Sequence, residues 1–85
     1  MTVKFLYFAW VREKIGLAEE HIVLPADVRT VADVLAWQAT RGDTYAVVFT
    51  AAGIIRVAVD QAHAQPAASI GGAREIAFFP PVTGG

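Results

Sequence analysis

Two short apolar runs near opposite ends of the chain constrain its fold most. Residues 3–9 read Val-Lys-Phe-Leu-Tyr-Phe-Ala, and residues 74–79 read Arg-Glu-Ile-Ala-Phe-Phe. Both are rich in β-branched and aromatic residues and are expected to be strands. In the first, Val3, Phe5 and Tyr7 face one way and Lys4, Leu6 and Phe8 the other. Largely apolar side chains on both faces belong in the interior of a sheet. A chain of 85 residues makes one small domain. With 55% hydrophobic residues it can hold a core without staples, and with no Cys it has none. The two runs are therefore expected side by side at the centre of one sheet.

The remaining elements fit around that centre. Val11 to Gly16 reads as a charged connection with one helical turn, closed by Gly16. Glu20 to Leu24 is a second short strand ended by Pro25, and the first two strands can pair as a hairpin with a long loop. Thr30 to Thr40 is the best helix. Thr30 is its N-cap, Asp33 lies near the positive end of its dipole, and Val31, Val34, Leu35 and Gln38/Ala39 form a buried stripe with Trp37 at its edge. Gly42 stops the helix. Tyr45 to Thr50 is ambiguous between a strand and a packed loop. Ala52-Gly53 turns the chain, Ile54 to Asp60 is a third strand, Ala62 to Ser69 is irregular, and Gly71-Gly72 is a turn before the last strand. One helix on a mixed sheet gives an α+β class, with residues 1–79 as the domain and residues 80–85 as an extended tail.

Composition excludes several functions. Without Cys there is no thiolate metal ligand and no cysteine nucleophile. A formal net charge of −1 with no basic run argues against nucleic acid. Lys4, Arg12, Glu13, Lys14, Glu19 and Glu20 interrupt the N-terminal apolar stretch, so no membrane span is expected. No secretory signal is visible, and the expected location is the cytoplasm. Low charge with high apolar content points to an interface with a partner.

The sequence finishes Phe78-Phe79-Pro80-Pro81-Val82-Thr83-Gly84-Gly85. The prolines fix φ and hold the segment extended. The glycines remove side chains beside the terminal carboxylate, which is then able to enter a narrow site. A flexible linker is Gly/Ser-rich, unlike this lead-in. The expectation is a carboxylate presented as a reacting group at the end of a central strand.

Four segments together resemble a known family: Phe8-Ala9-x-Val11-Arg12-Glu13, Thr30-Val31-Ala32-Asp33-Val34-Leu35, Val57-Ala58-Val59-Asp60, and the string from Ala77 to Gly85. They are similar to the small subunit of molybdopterin synthase, a sulfur carrier of molybdenum cofactor biosynthesis, along the whole chain. The resemblance implies a ubiquitin-like β-grasp fold and a cycle at Gly85. A ubiquitin-activating-type adenylyltransferase uses ATP to form a glycyl adenylate there, and a sulfur donor protein converts it to a thiocarboxylate (1-thioglycine). The tail then enters the synthase large subunit, in an expected heterotetramer, and sulfur passes to the cyclic pterin precursor. The implied roles are chemistry at Gly85, access at Gly84, and insertion through Pro80, Pro81, Val82 and Thr83. Arg12 is an implied partner contact, and Phe79 and Phe8 are expected interface aromatics, because aromatic residues are enriched at interface centres. No permanently bound cofactor and no metal are expected, and the acid–base groups belong in the partners.

Phe78 is expected in the core. His21 and His63 are expected on the surface, and His63 stands where the family often has an apolar interface residue. Gly71-Gly72-Ala73-Arg74-Glu75 replaces the acidic turn usual in the family. The alternatives are a thiazole-pathway sulfur carrier, which typically lacks the Phe-Pro-Pro-Val lead-in, a ubiquitin-like protein modifier, and an inert interaction domain.

Overall fold

The computed structural model describes residues 2–50 and 55–81. Eight elements follow in the order β1 (Thr2–Tyr7), α1 (Ala9–Ile15), β2 (Glu19–Val23), α2 (Val31–Ala39), α3 (Asp43–Phe49), β3 (Arg56–Val59), β4 (Ala62–Ala64) and β5 (Glu75–Phe79). The five strands form one sheet in the order β2-β1-β5-β3-β4. β1 and β5 are parallel, with Lys4 opposite Glu75 and Tyr7 opposite Phe78, and the other neighbours are antiparallel. The expected central pair is therefore present.

One face of the sheet carries the helices and the core. Val3, Phe5 and Tyr7 of β1 are buried beneath them, as are Ile76 and Phe78 of β5. Phe78 is fully buried and joins an aromatic cluster. Its ring meets Phe5 edge-on at 5.0 Å and Phe49 edge-on at 5.2 Å, and stacks on Tyr7 at 5.6 Å. Each such pair adds about 0.5–1.5 kcal/mol to the area it buries. On the opposite face Ala77 is also buried, so β5 is covered on both sides, whereas Lys4 and Leu6 of β1 are only half-buried.

α2 matches its sequence signals. Thr30 Oγ1 accepts the Asp33 amide and Asp33 Oδ2 accepts the Thr30 amide, a reciprocal capping box. Val31, Val34 and Gln38 are buried, while Leu35, Trp37 and Ala39 pack half-buried against the core.

Three expectations are corrected. The connection at Val11–Gly16 is a full helix of two turns, starting at Ala9, which the strand reading had included. Gly16 closes it at φ 86°, a left-handed C-cap that favours glycine. The ambiguous segment Tyr45 to Thr50 lies mostly in helix α3, because Tyr45, Val48 and Phe49 share one face and pack on the core. The segment Ala62 to Ser69 begins with a real strand, β4, set by a two-residue turn at Asp60-Gln61. Of the third-strand reading, Ile54 lies outside the described residues, as does the turn at Ala52-Gly53. Among the described residues no helix is long and apolar enough to cross a membrane.

Candidate functional site

β5 delivers the end of the chain from the middle of the sheet. Its start is held by Asp60, whose Oδ1 accepts the Arg74 and Glu75 amides at 2.9 and 3.0 Å. The Asp60 amide in turn donates to the Glu75 carbonyl at 2.9 Å. Its far end is held by the Phe78 ring in the core and by the Phe8 amide, which donates to the Phe78 carbonyl at 3.1 Å. Phe79, Pro80 and Pro81 then emerge half-buried. Val82, Thr83, Gly84 and Gly85 lie outside the described residues.

The predicted contact residues gather at this exit. Phe8 follows β1 directly and is 48% exposed, a high value for an aromatic residue. Its carbonyl accepts the Arg12 amide at 3.3 Å, so the exposed Arg12 sits one helical turn away on α1. Phe79 lies opposite Arg56 on β3. Phe8, Arg12 and Phe79 are thus brought to one end of the sheet.

The face away from the helices extends this patch. The register aligns Leu6, Ala77, Ala58 and His63 in one row across four strands. Its middle is two methyl groups and its ends are larger side chains. The His63 ring stands edge-on to Phe79 at 5.3 Å between centroids. Sequence reading had placed His63 on the surface, and it is exposed. Its contact with Phe79 was not foreseen, nor was the register that sets Arg56 opposite Phe79. The signal was the alternation Arg56, Ala58 and Glu75, Ala77, Phe79, which puts small and aromatic residues on one face. His21 is also exposed, 3.4 Å from Glu19.

A polar network lies on the helix side, away from this face. Glu20 accepts from Tyr7 Oη at 2.7 Å, from Tyr45 Oη at 3.1 Å, and from both Arg41 terminal nitrogens at 2.9 and 3.0 Å. Gln38 Nε2 donates to Tyr7 Oη, and its Oε1 accepts from Arg41. The Arg41 guanidinium lies over Tyr45 at 4.3 Å and over Trp37 at 5.2 Å. Hydrogen bonds from Arg41 hold the Glu20 carboxyl below the usual carboxylate range, and Glu20 raises Arg41. Burial pushes the Tyr7 hydroxyl far above the usual tyrosine range. Among the described residues no buried side-chain nitrogen or oxygen lacks a partner, and the network braces β2 against α2 and α3. Among the described residues no three His, Cys, Asp or Glu side chains stand together as metal ligands.

Comparison with known proteins agrees with this layout. The ThiS family model matches residues 5–85. The molybdopterin synthase sulfur carrier subunit of Haemophilus influenzae is 39% identical over 80 residues, covering 94% of this chain and 95% of that one. Two solved structures share the fold. A Pyrococcus furiosus protein described as molybdopterin converting factor, subunit 1, superposes with a TM-score of 0.72 at 23% identity, covering 96% of this chain and 99% of its own. SAMP1 of Haloferax volcanii superposes with a TM-score of 0.66 at 24% identity over the full length of both. The mixed sheet is the ubiquitin-like β-grasp, and with the family match running through nearly the whole sequence, this chain belongs to the ThiS family.

Proposed function

We propose that this chain is the sulfur carrier subunit of a molybdopterin synthase, with its chemistry at the Gly85 carboxylate. The observation that carries the reading is the 39% identity to a molybdopterin synthase sulfur carrier subunit across nearly all of both chains. The anchored central strand ending in Phe79-Pro80-Pro81 supports it. A carboxylate near pKa ~3.5 is an anion at neutral pH and a poor electrophile. The Gly85 oxygen therefore attacks the α-phosphate of ATP in an adenylyltransferase, and pyrophosphate leaves. A persulfide sulfur of a donor protein displaces AMP to give an acyl disulfide, which a thiol reduces to leave a thiocarboxylate. Inside the large subunit, that sulfur replaces an oxygen on the pterin precursor, water cleaves the Gly85 acyl–sulfur bond and regenerates the carboxylate, and two such transfers supply the dithiolene. Six extended residues, Pro80 to Gly85, reach about 20 Å, enough for a buried site.

Phe8, Phe79 and Arg12 surround the exit and are the surface that docks on the partners. The carrier itself contributes presentation, because a chain without Cys offers no thiol to accept or relay sulfur. That absence also makes the test clean. The protein is incubated with an adenylyltransferase, ATP and a sulfur source, then treated with a thiol-alkylating reagent and read by intact and C-terminal-fragment mass spectrometry. One label on the fragment ending at Gly85 is expected, and none after deletion of Gly84-Gly85. No label, with an activating enzyme that works on a known carrier, overturns the reading.

A further inference from the structure

A second surface lies on the far side of the sheet edge from β2. A groove of about 390 Å³ runs between α2 and the outer edge of β4. Its apolar wall includes Val31, Leu35, Ala64 and Pro66. Arg56 and His63 also line it, and among the described residues no carboxylate does.

The hairpin turn determines which backbone groups of β4 face outward. Asp60 and Gln61 have φ of 49° and 72°, the signs required at both central positions of a two-residue type I′ turn. Such a turn makes Val59 and Ala62 its closing hydrogen-bonded pair, so Ala58 and His63, the next pair in the register, do not bond to each other. The Asp60 amide's bond to Glu75 fixes the same parity from the β5 side. The His63 N–H and C=O therefore point away from β3, and neither has a backbone partner among the described residues. β4 is the last strand of the sheet.

We propose that β4 accepts an added strand from a partner protein, an extended segment reading apolar–acidic–apolar. The residue that exchanges both backbone bonds with His63 lies on the same sheet face as the His63 side chain. An acid there meets His63 and the Arg56 side chain one strand further in. Its two neighbours fall on the other face, over Ala64 and into the groove against Val31 and Leu35. Backbone bonds hold the segment and alternate side chains select it. A second copy of this chain does not fit, because antiparallel pairing through β4 would oppose His63 to His63 and bring two Arg56 side chains together. The chain's own tail has no acidic side chain between Pro80 and Gly85. This surface adjoins the tail exit through the contact of His63 with Phe79, but strand addition at β4 is read out separately from the chemistry at Gly85.

The test uses the full-length isotope-labelled protein and a blocked peptide alternating valine and aspartate, titrated to millimolar concentration by NMR. Shifts centred on the His63 and Gln65 amides are expected. Replacing the aspartates with lysines should weaken binding ~10-fold or more. His63→Pro removes the outward N–H while leaving the bonds to β3, and should abolish binding. Arg56→Glu should weaken the aspartate peptide and strengthen the lysine peptide, whether or not the proline variant folds. Absence of shifts at β4, or an unchanged peptide preference in Arg56→Glu, overturns the proposal. Neither result bears on sulfur transfer, whose readout is the label at Gly85.

Discussion

Removing the Glu20 side chain should be among the most damaging single changes away from the aromatic core. In Glu20→Ala the Arg41 guanidinium, with a side chain only 19% exposed, loses its counter-ion. The Tyr7 hydroxyl, on a residue 1% exposed, loses its acceptor. Breaking a buried pair from one side costs about 3–5 kcal/mol. A stranded hydroxyl donor adds about 1–3 kcal/mol, which overlaps with the first cost. Arg41 keeps its bond to Gln38 at 2.8 Å and its seat over Tyr45, which places the loss at the lower end. The expected destabilisation is ~3–4 kcal/mol, against a total of ~4–13 kcal/mol for a chain of this size. The melting temperature should fall by about 12–30 °C. Urea unfolding followed by tryptophan fluorescence measures it, since Trp37 lies against Arg41. Arg41→Met in the same background should recover part of the loss, because no unpaired charge remains. A loss below ~1 kcal/mol, or strict additivity in the double-mutant cycle, would refute the claim that this pair acts as one unit.

Two further outcomes follow from the same geometry. Because Glu20 titrates lower in the folded protein than in the unfolded chain, its contribution is complete above about pH 4.3 and disappears as pH falls through the folded value. The gap in urea midpoint between the native protein and Glu20→Ala should therefore narrow below about pH 4.3, and a gap constant down to pH 3 contradicts the assignment. Phe79→Ala should weaken the complex with a synthase large subunit by ~1–3 kcal/mol by calorimetry. It should cost far less fold stability than the ~3–5 kcal/mol of Phe78→Ala, and the reverse order would move Phe79 into the core.

Elements whose local pattern and tertiary role agree were readable from sequence. Thr30 and Asp33 announce α2 because both partners of the capping box lie within three residues. The two central strands were legible as runs rich in β-branched and aromatic residues, although only β5 is buried on both faces. α3 was obscured by composition. Asp-Thr-Tyr-Ala-Val-Val-Phe is rich in β-branched and aromatic residues, and it is helical because Tyr45, Val48 and Phe49 must reach the core together. β4 was hidden for another reason. Asp60-Gln61 is not a standard glycine-bearing hairpin turn, and only the positive φ at both residues reveals it. At the candidate site, Arg12 was found through the family resemblance, and Phe8 and Phe79 through the enrichment of aromatic residues at interfaces. Alternation assigns Arg56 and Phe79 to faces of their own strands, but which of them meet, and that His63 joins them, depends on the register between β3, β4 and β5.

The placement of β5 bears on the role proposed for the tail. A segment drawn into a partner's site pulls on the strand that bears it. On an edge strand that load would be opposed by one row of hydrogen bonds. β5 has a row on each side, from β1 and from β3. It is also fixed at both ends, by Asp60 on the Arg74 and Glu75 amides and by Phe8 on the Phe78 carbonyl. Phe78 adds a fully buried ring one residue before the exit. Pro80 and Pro81 then continue the extended path at low entropy cost. The same logic explains why β2 and β4 occupy the edges. Neither carries the tail, so β2 is free to be braced by the Glu20–Arg41 network, and β4 is free to present its outer backbone to a partner.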